Sequence, residues 1–171
     1  MPRGPMAACL LVLGTLPTLT RAADAVPQAP APGRSWDFTL PTLDGSRFVR
    51  ASGFKGPVLI NFWSKDCDAC IAELPRLQAF AQSHRRWTVL LVSTDPPSEA
   101  RQFVQRHAVA LEVLRPGANV TALMRSAGDH GGMLPFTVGL QASRICTSQL
   151  GALTMADLQH MDSTCEQPNG T

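Results

Sequence analysis

The sequence predicts an α/β domain of three layers, in which helices flank a central mixed β-sheet and a β-hairpin precedes it. Three observations support this prediction. Apolar runs of strand length alternate with segments of helical periodicity, and two strand-like segments follow one another directly near the end of the chain. In addition, 44% of the 171 residues are hydrophobic, which is enough to bury one full core. We therefore expect one folded domain over residues 36–168.

The individual elements can be placed in chain order. An Asp-Gly turn at residues 44–45 separates two short extended segments and predicts the hairpin. Apolar runs and alternation predict five further strands, at residues 57–63, 87–93, 111–114, 135–140 and 144–150. Apolar residues at helical spacing predict four helices, which begin at Cys70, Pro97, Ala118 and Thr154. The order of elements implies a sheet with both parallel and antiparallel neighbours.

The N-terminal segment has the composition of an export signal. Arg3 precedes a short apolar run over residues 6–16, and an Ala-x-Ala sequence ends at Ala25. These features are typical of a secretory signal peptide, and the run is shorter than the ~20 residues that a bilayer span needs. We expect a signal peptide over residues 1–25 and a Pro/Ala-rich linker over residues 26–35. An uncleaved membrane anchor is the alternative.

Charge and cysteine content narrow the function classes. The net charge is +2 and Lys and Arg form no run, which disfavours nucleic acid as a partner. Removal of the signal peptide would take away Cys9 and leave four cysteines. An even number of cysteines in an exported chain is typical of two disulfides.

Cys67 and Cys70 lie where the first buried strand gives way to the first long helix. A Cys-x-x-Cys pair at this place can close a small disulfide ring, and the positive end of the helix stabilises the thiolate of its first cysteine. We therefore expect Cys67 to be the exposed nucleophile and Cys70 the buried resolving thiol. A half zinc site and a static bridge are the alternatives. Zinc would need two more ligands, and the sequence holds no second cluster of Cys and His at compatible spacing.

This segment resembles the active site of thioredoxins. The resemblance rests on Phe62-Trp63, the cysteine pair, Pro75 five residues after Cys70, and Leu134-Pro135 before the fourth strand of the sheet. Three further features restrict the resemblance to one branch of the thioredoxin-like proteins. They are the Phe-Thr-Leu-Pro and Leu-Asp-Gly sequences near the start, the strand–helix segment near 111–124, and Glu73. Over residues 36–165 the chain is similar to the TlpA/ResA/CcmG branch of periplasmic or membrane-tethered thiol–disulfide reductases. The resemblance implies the thioredoxin fold with a strand–helix insertion.

The resemblance also implies roles for individual residues. Pro135 would be a cis-proline beside the disulfide, Leu134 would offer backbone groups to an extended substrate strand, and Trp63 would pack against the disulfide at the substrate site. Glu73 would assist proton transfer at the cysteines, because Asn61 stands where thioredoxins carry a buried aspartate. The alternatives are an ordinary proline at the start of a strand and a solvated helix carboxylate.

The function that the resemblance implies is thiol–disulfide exchange outside the cytoplasm, without a cofactor. The partners would be exported proteins with disulfides, for example in cytochrome c or copper-site maturation, and a membrane thiol electron donor of the DsbD/CcdA type. Asp66 and Asp68 flank Cys67 and disfavour its thiolate, which favours a reductase over an oxidase or isomerase. Peroxidase activity is disfavoured, because the Pro-x-x-x-Thr-x-x-Cys pattern of peroxiredoxins is absent before Cys67.

Two hypotheses concern the other sulfur-containing and histidine residues. Cys146 lies on a predicted edge strand and Cys165 on the apolar face of the following helix, which makes a structural disulfide reasonable. Two free buried thiols are the alternative. A different function, that of a Cu(I) metallochaperone, could use Cys67, Cys70 and His130 as soft ligands. We nevertheless expect no bound metal.

Overall fold

The computed structural model of the protein describes Met1 and residues 33–166. The predicted signal peptide after Met1, most of the predicted linker and the last two residues of the predicted domain lie outside the described residues. Within the described part, no helix combines the length and the apolar character that a membrane crossing needs.

The elements occur in the predicted order. The hairpin consists of β1 (Thr39–Pro41) and β2 (Phe48–Arg50). The remaining strands are β3 (Val58–Trp63), β4 (Thr88–Ser93), β5 (Glu112–Leu114), β6 (Phe136–Gln141) and β7 (Arg144–Leu150). The helices are α1 (Asp68–Ser83), α2 (Pro97–Arg106), α3 (Val120–Ala127) and α4 (Met155–Glu166).

The central sheet has five strands in the order β5-β4-β3-β6-β7. The β3–β4 and β4–β5 pairs are parallel, whereas β6 runs antiparallel to both β3 and β7. The hairpin forms a separate two-stranded sheet beside β5, where the Leu43 amide donates to the Val113 carbonyl. This arrangement confirms the predicted fold class.

Strand β3 lies in the middle of the sheet, and all six of its residues are buried. Successive side chains of a strand point to opposite faces, so β3 contributes to two cores. Ile60 and Phe62 pack in one core with the hairpin and α3. Leu59 and Trp63 pack in the other with α1, α2 and α4. The carboxyl end of β3, buried on both faces, is therefore a rigid base for the segment that follows it.

Side-chain caps determine where two helices begin. Helix α1 begins at Asp68, before the predicted start at Cys70, because the Cys67 sulfur accepts a hydrogen bond as N-cap. Helix α3 begins at Val120, after the predicted start at Ala118, because Asn119 accepts from the Ala122 amide at 2.9 Å.

Candidate active site

The structure joins Cys67 and Cys70 in a disulfide, with an S–S distance of 2.09 Å and Cα atoms 5.2 Å apart. The Cys67 sulfur accepts a hydrogen bond from the Cys70 amide at 3.1 Å and so lies over the positive end of α1. Cys67 is half-buried, whereas Cys70 is 0% exposed. A partner sulfur can therefore approach Cys67, whereas the protein covers Cys70.

Trp63 ends β3 and lies wholly inside the protein. Its side chain is 0% exposed, belongs to the same core as Cys70, and has its ring centroid 5.1 Å from that of Phe103. The predicted packing role fits this position. A substrate cannot touch the Trp63 side chain, however, so any effect of Trp63 on substrate binding would pass through the disulfide segment.

The loop before β6 carries the cis peptide bond between Leu134 and Pro135. Pro135 is buried, and its carbonyl accepts from the Gly151 amide at 2.8 Å. Leu134 is half-buried and packs against the core that also contacts Cys67. Phe136 pairs with Phe62, so Pro135 lies at the end of β3 that leads to the cysteine pair, and the start of β6 is held by the segment that follows β7.

Glu73 lies one turn beyond Cys70 on α1 and is 0% exposed. One carboxylate oxygen accepts from the Asn61 side-chain amide at 2.7 Å, and the other accepts from the Leu153 backbone amide at 2.7 Å. Burial raises the pKa of Glu73 above the usual value, and the hydrogen bonds from Leu153 and Asn61 oppose this increase. Glu73 is therefore not the solvated carboxylate that helical spacing alone allowed.

The charges beside Cys67 are partly compensated. The Lys65 ammonium contacts the Asp66 carboxylate at 2.7 Å and the Glu99 carboxylate at 3.2 Å. Asp68 is exposed in the first turn of α1 and forms no ion pair within residues 33–166. Of the two aspartates that flank Cys67, Asp68 is thus the one whose charge is not paired within that range.

Cys146 and Cys165 form a second disulfide, with Cα atoms 5.2 Å apart. It joins the edge strand β7 to α4 across 19 residues of sequence, and Cys165 is only 3% exposed. The pair is therefore bridged, in contrast to the alternative of two free thiols.

The possible copper ligands are not brought together. His130 is exposed in the loop after α3. Over residues 33–166, no three side chains of His, Cys, Asp or Glu converge in a group that could hold a metal ion. Cys67, Cys70 and His130 therefore form no ligand cluster there.

One partner of Glu73 and one partner of Asn61 were not identified from the sequence. Leu153 contributes its backbone amide, and Thr137 accepts from the Asn61 side-chain amide at 2.9 Å. Backbone donors leave no trace in residue types, so Leu153 could not have been found. Thr137 offered a weak signal, because a hydroxyl in an otherwise apolar buried strand needs a partner.

Comparison with known families identifies the class of protein. Residues 28–164 match the AhpC/TSA family, and the chain belongs to this family. The matched residues include the hairpin, the whole central sheet, and Cys67, Cys70 and Cys146, and they end one residue before Cys165. The comparison with curated proteins gives no match.

Solved structures establish the fold. A thioredoxin-family thiol:disulfide interchange protein from Chlorobium tepidum is 16% identical, with a TM-score of 0.67 over 84% of this chain and 99% of that one. A second protein of that organism, described as a putative thiol:disulfide interchange protein DsbE, is 18% identical, with a TM-score of 0.66 over 78% and 94%. A secreted disulfide oxidoreductase from Mycobacterium tuberculosis is 20% identical, with a TM-score of 0.58 over 74% and 94%. The thioredoxin fold implied by the sequence is thereby confirmed.

Proposed function

We propose that the protein is an extracytoplasmic thiol–disulfide oxidoreductase that reduces disulfides in other exported proteins. The observation that carries this proposal is the Cys67–Cys70 disulfide at the start of α1, with one sulfur reachable and the other covered. Membership in a thioredoxin-like family and the disulfide-interchange activity named for the similar structures support it.

The reaction starts from the reduced pair, the dithiol form of the site. The Cys67 thiolate attacks one sulfur of a substrate disulfide, forms a mixed disulfide, and releases the other substrate sulfur as a thiolate that takes up a proton. Cys70 then loses its proton and attacks the Cys67 sulfur. The substrate leaves as a dithiol and the enzyme keeps the Cys67–Cys70 disulfide, so two electrons have passed to the substrate. A membrane thiol donor of the DsbD/CcdA type would restore the dithiol.

Glu73 is our candidate for the group that accepts the Cys70 proton. A carboxylate of raised pKa can take up and return a proton nearer neutral pH than an ordinary glutamate can. Its place one turn beyond Cys70, shielded from solvent, supports this role. Pro135 and the backbone of Leu134 would receive the substrate chain beside Cys67.

The reducing direction rests on the charge next to Cys67. Asp68 disfavours a thiolate at the helix start, and a less stabilised thiolate gives up electrons more readily. Because Lys65 contacts Asp66, we assign most of this effect to Asp68. Equilibration with glutathione should give a potential of about −220 mV or lower, whereas a value of about −120 mV would indicate an oxidase.

An extracytoplasmic location is supported by the Cys146–Cys165 bridge, since structural disulfides persist in oxidising compartments. The similar Mycobacterium tuberculosis protein is described as secreted. The substrates would then be exported proteins, with cytochrome c and copper-site maturation as the two candidate processes.

Reduction of a protein disulfide, with dithiothreitol as electron source, tests the activity. The wild-type protein should accelerate the reduction, and Cys67→Ser should abolish the acceleration. The double variant Cys146→Ala/Cys165→Ala is the matched control and should retain it at low temperature. Equal acceleration by wild type and Cys67→Ser would refute the proposed function.

A further inference from the structure

The segment between β3 and α1 has no regular structure, yet it determines where Cys67 lies. It consists of Ser64, Lys65, Asp66 and Cys67 itself. The Cys67 amide donates to the Ser64 carbonyl at 3.2 Å, and the Asp66 amide donates to the Ser64 hydroxyl at 3.2 Å. These bonds are local, so the position of the whole turn depends on what holds Ser64 and Lys65.

The side chain of Asp95, in the loop between β4 and α2, holds both of them. One of its oxygens accepts from the Ser64 hydroxyl at 2.7 Å, and the other accepts from the Lys65 amide at 2.8 Å. Ser93 orients the same carboxylate, because its hydroxyl donates to Asp95 at 3.1 Å and accepts from the Asp95 amide at 3.1 Å. Hydrogen bonds to a carboxylate are stronger than those between neutral groups.

The bonds form a continuous connection from Asp95 to the reactive sulfur. The Ser64 hydroxyl donates to Asp95 and accepts from Asp66, so one group links the two loops. In parallel, the Thr94 amide donates to the Trp63 carbonyl at 2.9 Å and ties the end of β3 to the same loop. At the end of this connection, the Cys67 sulfur accepts a hydrogen bond from the Cys70 amide at 3.1 Å.

We propose that Asp95 is a positioning residue, which keeps the Cys67 sulfur over the start of α1 by fixing the turn at residues 64–66. The positive end of a helix stabilises a thiolate only within its first turn, so a sulfur that leaves this position loses the stabilisation. The inference rests on the proposed function for its significance. Its test does not, because alkylation of Cys67 needs no disulfide substrate.

The test measures the rate of alkylation of Cys67 against pH in the reduced protein. In Asp95→Ala the turn loses both acceptors, so the midpoint of the profile should rise and the rate at neutral pH should fall on the order of tenfold. Asp95→Asn can still accept from Lys65 and contact Ser64 through its amide, and it should restore most of the rate. Loss of a nearby negative charge alone would instead lower the midpoint, equally in both variants.

Asp37→Ala is the matched control. Asp37 likewise accepts from a backbone amide and a hydroxyl, both of Ser52 at 2.9 Å, but it lies beside the hairpin. Its removal should leave the Cys67 profile unchanged. If Asp95→Ala does not fold, Ser64→Ala removes the hydroxyl that contacts Asp95 and Asp66 but leaves the bond from the Lys65 amide to Asp95, and it should shift the midpoint in the same direction by less. A wild-type profile in folded Asp95→Ala or in folded Ser64→Ala, or a lowered midpoint in both Asp95→Ala and Asp95→Asn, would overturn the proposal.

Discussion

Glu73 shows how burial changes what a single side chain can do. Helical spacing places it near the cysteines, but spacing cannot distinguish a carboxylate that faces solvent from one that faces the sheet. The structure settles this with hydrogen bonds to residues 12 and 80 positions away, on β3 and before α4. Burial raises the pKa of the Glu73 carboxyl, and the donors from Leu153 and Asn61 lower it, so the environment and not the spacing determines how this side chain can handle a proton.

The raised pKa of Glu73 predicts how stability depends on pH. Unfolding returns the group to its ordinary pKa of about 4.3, so between that value and the raised pKa the folded chain binds more protons than the unfolded chain. The contribution of Glu73 to stability is therefore largest at low pH and is lost as pH rises through the raised pKa. Urea unfolding of the oxidised protein at several pH values should show wild type losing stability relative to Glu73→Gln as pH rises.

Asp157 provides a control of opposite sign. Hydrogen bonds from Thr154 hold the pKa of Asp157 below its usual value, so its contribution is present above the ordinary aspartate pKa and is lost as pH falls. Wild type should therefore lose stability relative to Asp157→Asn as pH falls through that range. Parallel curves for wild type and Glu73→Gln would show that Glu73 does not titrate differently in the folded protein.

At the scale of elements, the second disulfide fastens the edge of the sheet to the last helix. Gly139 on β6 makes room for it, because a Cβ there would lie 3.1 Å from the Cys165 sulfur and 2.7 Å from a Thr147 methyl group. Helix α4 also presents Leu158 and Met161 to the core, and the segment before it carries the Leu153 amide to Glu73. The bridge therefore holds α4 against the sheet, and the segment before α4 supplies the Leu153 amide that contacts Glu73.

Loss of this bridge should cost stability and spare the chemistry. For a loop of about 20 residues, the chain-entropy model gives roughly 3 kcal/mol, and native bridges contribute about 2–4 kcal/mol. We expect Cys146→Ala/Cys165→Ala to lower the free energy of unfolding by that amount and to keep the wild-type rate of disulfide exchange at low temperature. Denaturant unfolding measures the loss of stability, and the disulfide-exchange assay measures whether the rate is retained. An unchanged free energy of unfolding would show that the bridge contributes no net stability.

At the scale of the whole molecule, the sequence predicts the order of elements well, because buried strands such as β3 and amphipathic helices have distinct apolar patterns. The cysteine pair could be located for the same reason, since it lies at a visible strand–helix junction. What the sequence could not provide are contacts between distant loops. Asp95 is an ordinary loop aspartate in the sequence, and only the fold brings it to Ser64, 31 residues earlier.

The thioredoxin fold places the carboxyl end of β3, the start of α1 and the loop before β6 at one edge of the sheet. The fold thereby brings residues near 67, 95 and 135 together although they are far apart in the chain. Proteins of different activity share one fold, so the activity depends on the chemistry of the cysteine pair, in which we propose that Cys67 attacks and Cys70 resolves.

Trapping of the mixed disulfide tests this claim most directly. Cys70→Ser, reduced and then mixed with a protein that contains a disulfide, should accumulate a covalent adduct, because the attack by Cys67 proceeds and its resolution cannot. Peptide mapping should locate the new bond at Cys67, and dithiothreitol should release it. Cys67→Ser, treated in the same way, should form little adduct, since Cys70 is covered. Adduct formation at Cys70 in Cys67→Ser, at a rate equal to that of the first variant, would contradict the account.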